Sequence, residues 1–361
     1  MAPDLSLPLL RHPVVQAPMA GGASTPELAA AVSGAGGLGM LAAGYKTPEA
    51  MYEETRHLRR LTPRPFGVNL FLPQEPVAGP AAVAAYRERL APEADRYDAA
   101  LGDTDRGGSD AYDAKVAILL QHPVPLVSFT FGCPEERVLR RFAEAGTSTV
   151  VTVTSVDEAL TAQDRGAAAV CVQGAEAGGH QGTHHDDPAA DGGCRATGLL
   201  TLLALVGEAV RLPLVAAGGL MRGSQIAAVL AAGASAAQLG TAFLVCPESG
   251  AHAEHKRALT DPLYDRTELT RAFSGRPARA LVNRFVREHG PHAPAAYPDV
   301  HHLTTGLRRA AGKAGDPQGL ALWAGQGHRL ARTMPAARLV EVLAGELASA
   351  RAASTGREVE A

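Results

Sequence analysis

Aromatic side chains are scarce in this chain: 8 Phe, 7 Tyr and 1 Trp among 361 residues. A charge excess is missing too, since 34 Lys and Arg stand against 37 Asp and Glu for a formal net charge of -3. That balance gives no basic field for a polyanion, so no nucleic-acid partner is expected. Apolar runs such as "LVAAGG" and "VAAGGLM" fall far short of the about 20 residues that span a bilayer, and no membrane partner is expected. The N-terminus lacks a charged-then-apolar secretory pattern, which makes the cytoplasm the expected location. The four cysteines, Cys133, Cys171, Cys194 and Cys246, include no Cys-x-x-Cys pair. Neither a zinc site nor a disulfide framework is indicated.

What is present is a regular alternation. Short β-branched runs bounded by Gly or Pro predict eight strands, at residues 14–19, 37–41, 66–71, 124–130, 147–153, 167–173, 212–218 and 236–241. Ala/Leu-rich helical stretches lie between them, with Thr25, Thr47 and Ser155 as N-caps, Pro26 and Pro48 in first turns, and Gly166 as a stop. The strands are almost continuously apolar, which requires both faces to be buried. Together these features predict an α/β chain built as a closed (β/α)8 TIM barrel, with an additional, mainly helical substrate-side subdomain. The barrel is expected over residues 1–246 and 336–352, with a helical insert at about 74–115. Residues 247–335 form the helical subdomain and 353–361 a frayed tail.

In such a barrel, chemistry sits at the C-terminal ends of the strands. Gly218-Gly219 and Gly240-Thr241 follow the last two strands, where barrels often hold a phosphate on backbone N–H groups. Asn69 and Gln173 end the third and sixth strands and offer amides to the polar edge of a flat ring. A flavin mononucleotide (FMN) would explain this set. The "GAGGLG" at 34–39 has dinucleotide-loop spacing, but it follows a helix and precedes a strand, so it reads as a helix stop and supports no NAD site.

The stretch "VCVQGAEAGGHQGTHHDD" (170–187) carries the candidate for proton chemistry, His180, directly after a glycine run. Glu176 reads best as a carboxylate bonded to backbone amides. His184, His185, Asp186 and Asp187 resemble metal ligands, but consecutive histidines do not easily share one ion, and the loop reads as solvated. His301-His302 are read the same way, and no metal is expected. Tyr297 and the Arg308-Arg309 pair are either lining for a small-anion pocket or a packing tyrosine and a solvated basic face. Trp323 reads as a core or junction residue.

Taken together, "QAPMAGG", "GVNLF", "VSFTFG", "QGAEAGGHQGT", "LPLVAAGGLMRG", "AAQLGTAFL" and the tail "YPDVHHLT" to "LWAGQG" span almost the whole chain. In this set the chain resembles the nitronate monooxygenase (2-nitropropane dioxygenase) family, in its bacterial first class. The resemblance implies FMN bound by Asn69, Gln173, Gly178, Gly218, Gly219, Gln238, Leu239, Gly240 and Thr241, with His180 as the catalytic histidine. It also implies oxidation of alkyl nitronates such as propionate 3-nitronate, with O2 consumed and a carbonyl compound and nitrite released. The expected partners are a small anionic nitronate and O2, and a homodimer is allowed. A nitronate is already an anion, so His180 is expected to give it a hydrogen bond or positive charge, with base catalysis on neutral nitroalkanes as the weaker option. Two rivals are an FMN-dependent enoyl-ACP-type reductase using NAD(P)H and a flavin-binding protein without turnover.

Overall fold

The computed structural model describes residues 10–104, 108–188 and 197–357; Cys194 and the last residues of the tail at 353–361 lie outside them. Eight parallel strands form one sheet: β1 (Val14–Gln16), β2 (Gly39–Ala42), β3 (Phe66–Phe71), β4 (Leu126–Thr130), β5 (Ser148–Val153), β6 (Ala169–Gln173), β8 (Leu214–Ala217) and β9 (Ala236–Leu239). Beside it stands a small antiparallel sheet of β7 (Gly179–His180), β10 (Thr267–Thr270) and β11 (Ala278–Leu281). The large sheet closes on itself. β1 pairs with β9 through Val15↔Gln238, and a parallel bridge from Val15 to Leu38 joins it to the approach of β2.

Strand parity divides the core in two. Val15, Met40, Leu126, Val150, Cys171 and Val215 point into the barrel and fill it. Their sequence neighbours, such as Val14, Leu41, Val127, Val151, Val170 and Val172, point outward beneath the helices. Burial of each such aliphatic side chain contributes about 1.5–3 kcal/mol. The helices begin where their caps predict. Thr25 Oγ1 accepts from Leu28 N at 3.0 Å, Thr47 Oγ1 from Ala50 N at 3.2 Å and Ser155 Oγ from Glu158 N at 3.2 Å. The "GAGGLG" segment runs from the end of helix Pro26–Gly34 into β2. The last helix, Ala336–Arg357, packs beside helices Gly223–Ala231 and Pro26–Gly34 as an outer helix of the barrel.

The two segments that break the repeat meet each other. Val83, Tyr86 and Leu90, from the insert after β3, share a second core with Phe273, Phe285, Val300, Leu303 and Leu307. Residues 247–335 carry helices Ala253–Thr260, Arg284–His289 and Asp299–Lys313, and in addition contribute β10 and β11. Those strands are too short and too distant from β7 in sequence to register as a periodic signal.

Candidate functional site at the barrel mouth

The inward parity that packs the interior also sets the last inward side chain of each strand at the mouth. Asn69, Gln173 and Gln238 occupy such positions, and Gln173 and Gln238 both register against Ala217 on β8. Above them opens a cavity of about 330 Å³. Asn69, Gln173, Gly178, His180, Gly218, Gly219, Gln238, Leu239, Gly240 and Thr241 all line it. Residues from loops far apart in sequence thus converge on one space.

The amides are partly committed. Asn69 Nδ2 donates to Ser128 Oγ at 2.9 Å and Thr130 Oγ1 at 3.0 Å, so the edge it can offer a ligand is Oδ1. Gln173 grips the His180 loop from both ends: Nε2 donates to His180 O at 3.2 Å and Oε1 accepts from Gly182 N at 2.7 Å. Gln238 Nε2 makes only a weak contact with Cys171 Sγ at 3.3 Å.

His180 is held by tertiary pairing. β7 registers His180 against Ala278 of β11, and Nε2 lies 2.9 Å from Ser274 Oγ. The imidazole is walled by Phe131, Tyr297 and Trp323, with ring centroids 5.6, 5.7 and 5.5 Å away. Burial, followed by the nearby Arg276 and Arg308 charges, drives its pKa from 6.5 down to about 3. The ring is therefore held neutral in the absence of a bound anion.

Gly218 and Gly219, also on the cavity wall, have φ of 129° and 68°, in the region glycine tolerates best. Thr241 Oγ1 accepts from Gly325 N at 3.0 Å, which leaves the hydroxyl proton free to point elsewhere. A Cβ on Gly178 would meet backbone, lying 2.5 Å from Ala324 C. The glycine run before His180 thus lets its loop lie directly on residues 324–325.

Other residues singled out from sequence separate cleanly. Glu176 caps helix Leu199–Ala209, both its carboxylate oxygens accepting from Leu199 N at 3.0 Å. The "THHDD" loop is less solvated than its composition suggests. His184 is half-buried, with Nε2 3.0 Å from Thr152 O, and Asp186 forms a two-pronged pair with Arg271 at 2.5 and 2.6 Å. His301 stacks flat on Tyr45 with centroids 3.8 Å apart. Tyr297 packs against His180 and bonds Tyr45 OH at 3.3 Å. Arg308 and Trp323 line the cavity, while Arg309 is exposed. Sequence reasoning missed Met19, Tyr45, Phe71, Phe131 and His255 as lining. Helical periodicity could have separated the arginines, since residues 301, 304, 305 and 308 share one face.

A closed eight-stranded barrel with a deep cavity at its C-terminal mouth, and a neutral histidine facing that cavity, defines a (β/α)8-barrel enzyme. The family model of nitronate monooxygenase matches residues 5–346, and the chain belongs to that family of oxidoreductases. It is 41% identical over 344 residues to the nitronate monooxygenase of Pseudomonas aeruginosa, covering 94% of this chain and 97% of the relative. A crystal structure of nitroalkane oxidase from Streptomyces ansochromogenes superposes with a TM-score of 0.93 at 65% identity, over 96% of this chain and 98% of that one. FabK from Thermotoga maritima superposes with a TM-score of 0.73 at 28% identity, over 96% of both chains. Among the described residues no helix is long and apolar enough to cross a membrane.

Proposed function

We propose that the cavity holds FMN and that the chain oxidises alkyl nitronates with O2 to a carbonyl compound and nitrite. The observation that carries this reading is the convergence of ten residues from separate strand ends and the segments that follow them on one cavity of about 330 Å³, in a chain of the nitronate monooxygenase family. The residues present fit the cofactor. Gly218, Gly219 and Gly240, whose main chain no Cβ shields, and Thr241 would hold the phosphate. Asn69, Gln173 and Gln238 would meet the polar edge of the ring, with Gly178 and Leu239 completing its bed. FMN supplies the electron transfer from the nitronate and onward to O2 when bound.

The protein's own part is to place substrate and handle its proton. Ser274 Oγ lies 2.9 Å from His180 Nε2, 3.3 Å from Arg276 O and 3.4 Å from Arg276 N, and we assign its proton to Arg276 O, so that it accepts from His180 Nε2–H. That assignment leaves Nδ1 as the free, accepting nitrogen. An acceptor suits removal of the α-proton from a neutral nitroalkane better than donation to nitro oxygens. The imidazolium so formed is paired at once with the nitronate it has produced, which offsets the cost of charging a buried ring. A nitronate supplied as such needs no base. Phe131, Tyr297 and Trp323 would hold the imidazole in place against the cavity.

The test is the visible absorption spectrum of the purified protein, followed by nitronate-dependent O2 uptake and nitrite release. A colourless protein that takes up no FMN overturns the reading. Anaerobic mixing with NADH separates the reductase alternative, because bleaching by NADH and not by nitronate would favour it. The likeness to FabK stands at 28% identity against 65% for nitroalkane oxidase, which favours the nitronate reaction.

A further inference from the structure

Arg308 sits on helix Asp299–Lys313 and lines the cavity. One side of its guanidinium is secured: Nε donates to Thr304 Oγ1 at 3.2 Å, and Nη2 donates to His301 O and Thr305 Oγ1, each at 3.0 Å. Nη2 also lies 3.3 Å from His301 Nδ1. Nη1 makes no hydrogen bond among the described residues. No described carboxylate pairs with this arginine either. Arg271 and Arg284, by contrast, are paired with Asp186 and Glu93, whereas buried Arg276 is held, like Arg308, by uncharged acceptors. Arg276 is turned away to Gln74 Oε1 at 2.6 Å and to Thr183 O, and does not line the cavity.

A half-buried guanidinium without a counter-charge at a cavity wall is poised for an anion that arrives with the ligand and displaces the water there. Burial lowers the Arg308 pKa only to about 10, so it stays charged at neutral pH. His180, in the same cavity, is neutral. The fixed positive charge of this site therefore belongs to the arginine.

We infer that Arg308 is the specificity-determining residue of the site: its free Nη1 edge pairs with the oxygens of the anionic substrate and selects nitronate over neutral nitroalkane. The inference rests on the reading above and adds the group that recognises the charge. Nη1 carries two N–H donors on a charged group, and each can give a charge-assisted hydrogen bond to an oxygen of a planar oxyanion.

Nitrate, a planar monoanion that cannot be oxidised by this chemistry, is the probe. Calorimetric titration of the flavin-loaded protein with nitrate is compared for the unmodified chain, R308Q and R308K, with retained flavin absorbance as the check on folding. A charge-assisted hydrogen bond of about 1.5–3 kcal/mol corresponds to a roughly 10–100-fold weaker nitrate affinity in R308Q, and R308K should keep more of it. The ratio of kcat/KM for nitronate to that for its parent nitroalkane should fall by a similar factor in R308Q. Nitrate binding unchanged in R308Q overturns the inference, as does a variant that lowers both substrates equally. Should R308Q not fold, the same ratio in R308K decides: a loss confined to nitronate supports the pairing, and an equal loss for both substrates refutes it. Nitrate titration reads the anion site whether or not nitronate is turned over, so failure of the proposed reaction and failure of this inference are separate results.

Discussion

His180 Nε2 and Ser274 Oγ lie 2.9 Å apart although 94 residues separate them in the chain. The contact exists because β11 pairs with β7 and carries the turn that holds Ser274 up to the ring. With its proton assigned to Arg276 O, Ser274 would favour the imidazole tautomer that carries the proton on Nε2. Replacing Ser274 by Ala removes that selection without opening the cavity. Loss of one hydrogen bond of about 1 kcal/mol should lower kcat/KM for a neutral nitroalkane by roughly 5- to 10-fold, with flavin content unchanged. Steady-state kinetics beside the flavin spectrum check it.

His180→Asn separates the two roles open to the ring. As a base, the histidine is worth about 10²–10⁴-fold on the neutral substrate, and nitronate should suffer much less. Equal losses on both substrates, measured by O2 uptake, would return the donor role to consideration.

Acid stability follows from the buried histidines. His180 and His255 have folded-state pKa values of about 3 and about 4, chiefly through burial, against an ordinary 6.5. The unfolded chain therefore binds protons below pH 6.5 that the folded chain refuses. Stability conferred by the neutral rings is complete above pH 6.5 and is lost as pH falls toward 4, by up to about 1.4 kcal/mol per unit for each. His255→Asn should flatten the dependence of the urea midpoint on pH between 7 and 5. An unchanged slope would show that the ring is not held neutral.

Glu176 is the side-chain cap of helix Leu199–Ala209, whose N-cap residue is Gly198. Glu176→Ala should cost about 1 kcal/mol and lower the melting temperature by a few degrees, while the spectrum of the folded protein remains that of the parent. Thermal melts monitored by circular dichroism provide the readout.

Gly178→Ala should be worse than its size suggests. The new methyl meets Gly325 N and Ala324 C, both main-chain atoms that cannot swing aside. An overpacking cost of about 1–3 kcal/mol is expected, with lowered flavin content at equilibrium. A variant that purifies fully loaded would show that the loop has room to move.

Much of the barrel was legible beforehand because its signals are local. β-branched runs such as "TSTVVTV" and caps such as Ser155 act within a few residues, and all eight barrel strands form within or at the edge of the predicted stretches. The mouth residues followed from the same reading, since inward parity carries Asn69, Gln173 and Gln238 to one rim. The small sheet was not legible. β7 has only two residues, and its partner lies almost a hundred positions away. Nor did the "THHDD" loop show that Asp186 would meet Arg271.

Sequence by itself determined the (β/α)8 architecture, the place of the mouth and the residue types gathered there, because hydrophobic period, capping and turn chemistry are properties of neighbours along the chain. The charge states and directions of those groups depend on contacts between distant segments. His180 is neutral because other segments bury it beside Arg276 and Arg308, and Arg308 faces the cavity while Arg309 faces solvent because its helix packs one way over the barrel. Desolvation and Coulomb energy depend on distances through space, which no spacing along the chain encodes.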